Sequence, residues 1–184
     1  MKDIAIVIGH TKMRPGACSP HGVSCEFKFN SEVASHLSCI ADIYTYDSYN
    51  LGYTSMVKRN AAKLNKKDYK LVLELHYNAA SPQANGVEAL YYFKNRVGKK
   101  IAEKFSLEYS KVFRVKNRGP KALVNKTQRG FAAVYYPKAT TLILEPFFGT
   151  NKKDVENLTI FGGAKGYAEF LKGFISKIEQ NGLI

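Results

Sequence analysis

The chain has 184 residues, 45% of them hydrophobic, enough to bury a sizeable core in one domain over 1–184, and no linker, repeat or low-complexity tract divides it. Its formal charge is +13, from 28 Lys and Arg against 15 Asp and Glu, and twelve of the basic residues lie between Lys94 and Arg129 against Glu103 and Glu108 alone. The first apolar run, Ile4 to Ile8, is too short for a signal-peptide core or a membrane span, so a soluble protein made in the cytoplasm is expected. Cys18, Cys25 and Cys39 form an odd set without a CxxC pair, which argues against a disulfide framework or a structural zinc; reduced thiols are expected.

In chain order, apolar runs rich in β-branched or aromatic residues predict strands at Ile4 to Ile8, Ile43 to Tyr46, Leu71 to His76, Val87 to Phe93 and Thr141 to Glu145. Between them run helical stripes. Phe29, Val33, Leu37 and Ile40 share one helix face, Val57, Ala61 and Leu64 a second, and Val97, Ile101, Phe105 and Val112 a third. Asn151 with Asp154 resembles a helix start, and a last helix with Tyr167, Phe170, Phe174 and Ile178 ends near Gly182. Strands alternating with helices predict an α/β fold, a single domain with a mostly parallel twisted sheet flanked by helices and its active site at the C-terminal ends of the strands.

Three of these strands end in residues that carry chemistry: IAIVIGH in His10, LVLELHYN in His76 and TTLILEP in Glu145. Glu26 starts a helical stretch a short loop after His10. Two imidazoles and a carboxylate are a frequent ligand set for catalytic zinc, and a further carboxylate suits proton transfer. Strand alternation puts Glu74 on the same face as His76, with Leu73 and Leu75 on the other. Taken alone, such a pair is more often a hydrogen-bonded core pair, and a first-turn Glu26 is well placed by the helix dipole alone. His10, after a glycine that permits close approach, shifts the weight toward a site. A charged Glu145 at the end of so apolar a strand needs a cation or a donor.

These residues resemble the zinc-dependent N-acetylmuramoyl-L-alanine amidases of the amidase type 3 family. Gly9-His10, the downstream Glu26, His76-Tyr77-Asn78-Ala79, Gly86-Val87-Glu88, and Glu145 with Phe148 and Asn151 stand in the family's order and spacing over nearly the whole chain. The resemblance implies His10, Glu26 and His76 as Zn2+ ligands and Glu145 as the catalytic carboxylate. It also implies peptidoglycan as substrate, cut at the amide joining N-acetylmuramic acid to L-alanine. The chain departs from the family where Val7-Ile8-Gly9-His10 lacks an acid before the glycine, and where Glu74 takes a place often held by a small residue. Glu74 is thus a candidate partner of a ligand, or even a ligand. Asn78 and His21, the latter in the loop SPHGVS, are further candidates on the substrate side.

A compact, basic module of this kind resembles a phage endolysin, made without a signal peptide in the host cytoplasm and reaching the wall in the periplasm once the membrane is opened. A monomer is expected. Three alternatives stay open: a zinc peptidase acting within the stem peptide, a non-haem iron oxygenase using the same ligand types, and a cationic wall- or nucleic-acid-binding module without catalysis. No recognised nucleic-acid motif accompanies the charge, so no nucleic-acid partner is expected. The segment from Lys94 to Arg129 reads equally as a docking surface for a polyanion and as a solvated face.

Overall fold

Every residue of IAIVI and of LVLEL is buried, as befits strands covered on both faces, and these two runs form neighbouring strands β1 (Ile4–Ile8) and β3 (Leu71–Leu75) in the sheet's interior. The computed structural model describes residues 2–47 and 52–184. The remaining strands are β2 (Asp42–Thr45), β4 (Val87–Tyr92), β5 (Asn117–Leu123) and β6 (Thr140–Glu145), and the six lie in the order β2-β1-β3-β6-β4-β5. Pairing is parallel from β2 through β1 and β3 to β6, in a register that sets Ile8 opposite Leu75 and Leu75 opposite Leu144. β4 then runs antiparallel to β6 and parallel to β5. The mostly parallel sheet is as the sequence predicts; the reversal at β4 and the strand β5 are additions to it.

This order positions the site. From β1 the chain crosses to β2 on one side and returns to β3 on the other, so a crevice opens beyond the C-terminal ends of β1 and β3, where α/β sheets bind ligands. Because β4 is reversed, its first residues come to the same edge, and Glu88 pairs directly with Glu145.

Helices cover both faces. Leu71, Leu73 and Leu75 project into a core shared with α1 (Glu26–Leu37), α3 (Arg96–Phe113), α5 (Lys152–Ile160) and α6 (Gly163–Gln180). Its aromatic centre stacks Tyr109 on Phe113 at 4.1 Å, with Phe105, Tyr167, Phe170 and Phe174 around them. Val7, Val72 and Ile143 face the thinner second layer, made by α2 (Tyr53–Leu64) and α4 (Phe131–Tyr135). Of the predicted stripes, Phe29, Val33 and Leu37 of α1 and Val57, Ala61 and Leu64 of α2 are buried as expected, while Ile40 lies past the end of α1 and is half-buried. In α3, Val97 and Val112 are exposed and the covered face instead runs through Ile101, Phe105, Tyr109 and Phe113, where the bulkier rings meet α6. Asn151 caps α5 by accepting the Asp154 amide at 3.0 Å.

A correction concerns the cysteines. Cys18 and Cys25 form a disulfide across the loop that leads into α1, and Cys39 alone is a free, exposed thiol. The odd cysteine count hid this short-range pair. No described helix is long and apolar enough to cross a membrane.

Candidate active site

His10 follows β1, His76 follows β3, and Glu26 is the first residue of α1, so two neighbouring strands and one helix start deliver three donors to one crevice. Glu26 Oε2 lies 3.0 Å from His10 Nε2 and 3.1 Å from His76 Nδ1, and the two imidazole centroids are 4.8 Å apart. One donor atom from each of the three residues lies within 4.8 Å of the others. Two nitrogens and a carboxylate oxygen converging this closely fit a tetrahedral zinc that keeps a fourth position open.

The surrounding chain is shaped to let them converge. A Cβ at Gly9 would come within 2.5 Å of the His76 ring, and one at Gly16 within 2.6 Å of the His10 ring and 2.8 Å of Glu26 Oε1. His10 itself has φ 68, a left-handed conformation that a non-glycine residue adopts only where its surroundings hold it. The Ala17 amide donates to Glu26 Oε1 at 2.9 Å, and the Glu26 amide returns the bond to the Ala17 carbonyl at 2.9 Å.

Electrostatics within the cluster are strong. Burial would raise the Glu26 carboxyl, but hydrogen bonds from His10 and His76 bring it down to about 2. Burial likewise works against the His76 imidazolium, yet carboxylates on its two ring nitrogens, Glu26 and Glu74, hold it up at about 10. Burial pushes Glu145 up to about 8, with His76 opposing and Glu26 and Glu88 adding to the rise. Glu145 Oε2 is shielded from solvent and has no hydrogen-bond partner among the described residues.

A cavity of about 630 Å³ opens over these groups, lined among others by His10, Glu26, His76, Glu145, Asn78 and Glu88. Its outer walls carry Met13, Tyr53, Met56, Arg14 and Arg129, a mixed apolar and cationic lining. The size is that of a pocket for a small molecule or a polymer end.

The sequence pattern of the family described as N-acetylmuramoyl-L-alanine amidase, type 3, matches residues 4–169. The chain belongs to this amidase family. Solved structures share its fold. The catalytic domain of the CD27L endolysin targeting Clostridia difficile is 25% identical with a TM-score of 0.77, over 96% of this chain and 98% of that one. An N-acetylmuramoyl-L-alanine amidase from Clostridium difficile 630 is 16% identical with a TM-score of 0.77, over 97% of each chain. Cwp6 from Clostridium difficile is 22% identical with a TM-score of 0.79; the match covers 96% of this chain but spans 29% of Cwp6. No curated protein sequence matches the chain.

Within this amidase fold, the four residues singled out at strand ends and at the α1 start all reach one cavity. Glu74 is there too, on the far side of the His76 ring from Glu26: His76 Nε2 lies 2.9 Å from Glu74 Oε1, and Tyr46 Oη donates to Glu74 Oε2 at 2.8 Å. Asn78 lines the cavity and donates to Glu88 Oε1 at 3.0 Å. His21 is exposed in its loop and does not line the cavity. Sequence reasoning passed over Gly16, Tyr46, Arg14 and Arg129, whose roles come from contacts between distant segments. Of these only Gly16, in the turn-forming stretch Arg14-Pro15-Gly16, carries a local signal.

Proposed function

We propose that the chain is a zinc-dependent peptidoglycan hydrolase that cuts the amide between N-acetylmuramic acid and the L-alanine of the stem peptide. The observation that carries the reading is the convergence in one cavity of His10, Glu26 and His76 with Glu145, whose Oε2 has no hydrogen-bond partner among the described residues. His10, Glu26 and His76 would hold the zinc, which supplies Lewis acidity to the scissile carbonyl and to attacking water.

The rest is work for the chain's own groups. Glu145, with Oε2 unpartnered and its proton affinity raised by burial, is suited to take a proton from water and return it to the departing amine, which leaves poorly unless protonated. Asp154 accepts the Gly86 and Phe148 amides at 2.7 and 3.0 Å, fixing the start of β4 to the turn after β6 and so the spacing of Glu88 from Glu145. Arg14 and Arg129 on the cavity walls suit the carboxylates of a stem peptide, and Met13, Tyr53 and Met56 suit its methyl groups.

The likeness to an endolysin catalytic domain supports a phage lysis role, with synthesis in the host cytoplasm and action on the wall after the membrane is opened. The Cys18–Cys25 disulfide is in keeping with work in an oxidising compartment. The test is cleavage of a soluble N-acetylmuramoyl peptide. Purified protein should release the sugar from an intact peptide, stop after treatment with a chelator and recover with zinc. Cleavage inside the peptide would establish a stem-peptide peptidase instead, and recovery with ferrous iron alone would point to the wrong metal.

A further inference from the structure

Resting on the metal-site reading above, we propose that Glu74, steadied by Tyr46, is the positioning carboxylate of the site: it accepts a hydrogen bond from the Nε2–H of His76 and so leaves Nδ1 as the nitrogen offered to the metal. The two ring nitrogens of His76 are divided between two carboxylates. Nδ1 faces Glu26 Oε2 at 3.1 Å, inside the three-residue cluster, while Nε2 faces Glu74 Oε1 at 2.9 Å, outside it. Glu74 therefore stands behind the ring and outside the three-residue cluster, where it would support a ligand and not be one.

The arrangement follows from the strand. Residues 74 and 76 share a face of the chain leaving β3, so a glutamate two residues before the histidine can fold its carboxylate onto the ring edge. Glu74 is 3% exposed, and a carboxylate buried so far from water must have partners. It has one for each oxygen: His76 on Oε1 and the Tyr46 hydroxyl on Oε2 at 2.8 Å. Tyr46 lies just past β2, so the contact braces the His76 ring through an element two strands away. Gly9 closes the other side, its Cα packed so near the ring that a Cβ would meet Nε2 at 2.5 Å. The plane of the imidazole is thus fixed, and once Nδ1 gives up its proton the remaining one sits on Nε2 against Glu74. A carboxylate on the distal nitrogen also makes the ring a stronger donor to a metal, and loss of such a partner typically weakens metal binding by about 10- to 100-fold.

The experiment measures zinc affinity by chelator competition in wild-type protein, Glu74→Gln and Tyr46→Phe, with nitrogen NMR of the histidines. Glu74→Gln should bind zinc about 10- to 100-fold more weakly, still at one ion per chain when saturated, and Tyr46→Phe should weaken binding in the same direction by less. The zinc-loaded wild type should show His76 with a proton on Nε2 and the metal on Nδ1. Wild-type affinity in Glu74→Gln, or in Tyr46→Phe should Glu74→Gln not fold, overturns the role, as does metal on Nε2. Zinc binding with the expected losses but no cleavage of N-acetylmuramoyl peptides keeps the role and overturns the amidase reading.

Discussion

Glu88 and Glu145 are direct partners in the antiparallel pairing of β4 with β6, yet their environments differ sharply. Glu88 receives Arg118 Nε at 2.6 Å and Asn78 Nδ2 at 3.0 Å, so both of its oxygens are engaged. Glu145 has an oxygen with no hydrogen-bond partner among the described residues and a carboxyl that burial pushes up to about 8. Two neighbouring carboxyls held so differently are suited to different tasks, one structural and one for proton transfer.

Glu145→Gln should therefore keep the fold and one zinc per chain while kcat on an N-acetylmuramoyl peptide falls by about 100-fold or more. The substitution preserves shape and removes the base. Zinc content and melting temperature measured beside turnover check it. Turnover near that of the wild type would assign the proton transfer elsewhere.

Zinc uptake should release protons, because the carboxylates on its ring hold His76 up at about 10 and burial pushes Glu145 up to about 8. At pH 7.5 His76 carries a proton that it must lose to bind metal, and a cation close to Glu145 favours its ionised form. Between one and two protons per zinc are expected, and zinc affinity should rise with pH between about 6 and 8, by roughly tenfold per unit for each proton released. Calorimetry in buffers of different ionisation enthalpy measures the number. Zinc uptake without proton release would contradict the His76 assignment.

The disulfide closes a short loop whose last member, Cys25, immediately precedes Glu26. A loop of this size contributes about 2 kcal/mol by restricting the unfolded chain, which corresponds to roughly 4 to 8 °C in melting temperature for a protein of this length. Cys18→Ser with Cys25→Ser should lower the melting temperature by that much and lose zinc faster to a chelator. A thiol count of one under denaturing, non-reducing conditions, owed to Cys39, checks the pairing; a count of three would contradict it.

Arg96, Lys99, Lys100 and Lys111 of α3 are exposed and Lys104 is half-buried, and they are only partly neutralised within the helix, Lys99 reaching Glu103 at 3.8 Å and Lys104 reaching Glu108 at 3.9 Å. Pairs of that kind in water contribute little to stability, which leaves the field of the face available to a polyanion. Replacing Lys99, Lys100, Lys104 and Lys111 with glutamine should slow digestion of intact walls as raised salt does, with turnover of a soluble N-acetylmuramoyl peptide nearly unchanged. Equal loss on both substrates would tie the face to the fold or the site; no loss on either would leave it a solvated surface.

How much of this was legible in the chain depends on where each signal lives. β1, β3 and β6 are read directly, since unbroken apolar runs rich in Ile, Val and Leu belong to strands covered on both faces, and each ends at a site residue. β5 was invisible because NRGPKAL holds glycine, proline and lysine, a composition that suits an edge strand and not a pattern of burial. The reversal of β4 was equally hidden: alternation marks a face and carries no direction. In α3 the valines of the predicted stripe lost to Tyr109 and Phe113, which only the presence of α6 explains. Residue types and spacing nominated His10, His76 and Glu145, and the family resemblance assigned their roles with that of Glu26. The brace of Tyr46 on Glu74 and the clearance at Gly16 arise between segments far apart in sequence, where no local pattern reaches.

In the function proposed above, this cavity cuts the bond between N-acetylmuramic acid and L-alanine. Mass analysis of purified peptidoglycan digested by the zinc-loaded protein tests it most directly. Free stem peptides with new L-alanine amino termini should appear while the glycan strands gain no new reducing ends, and Glu145→Gln should release no such peptides. New reducing ends, or new termini within the stem, would contradict it.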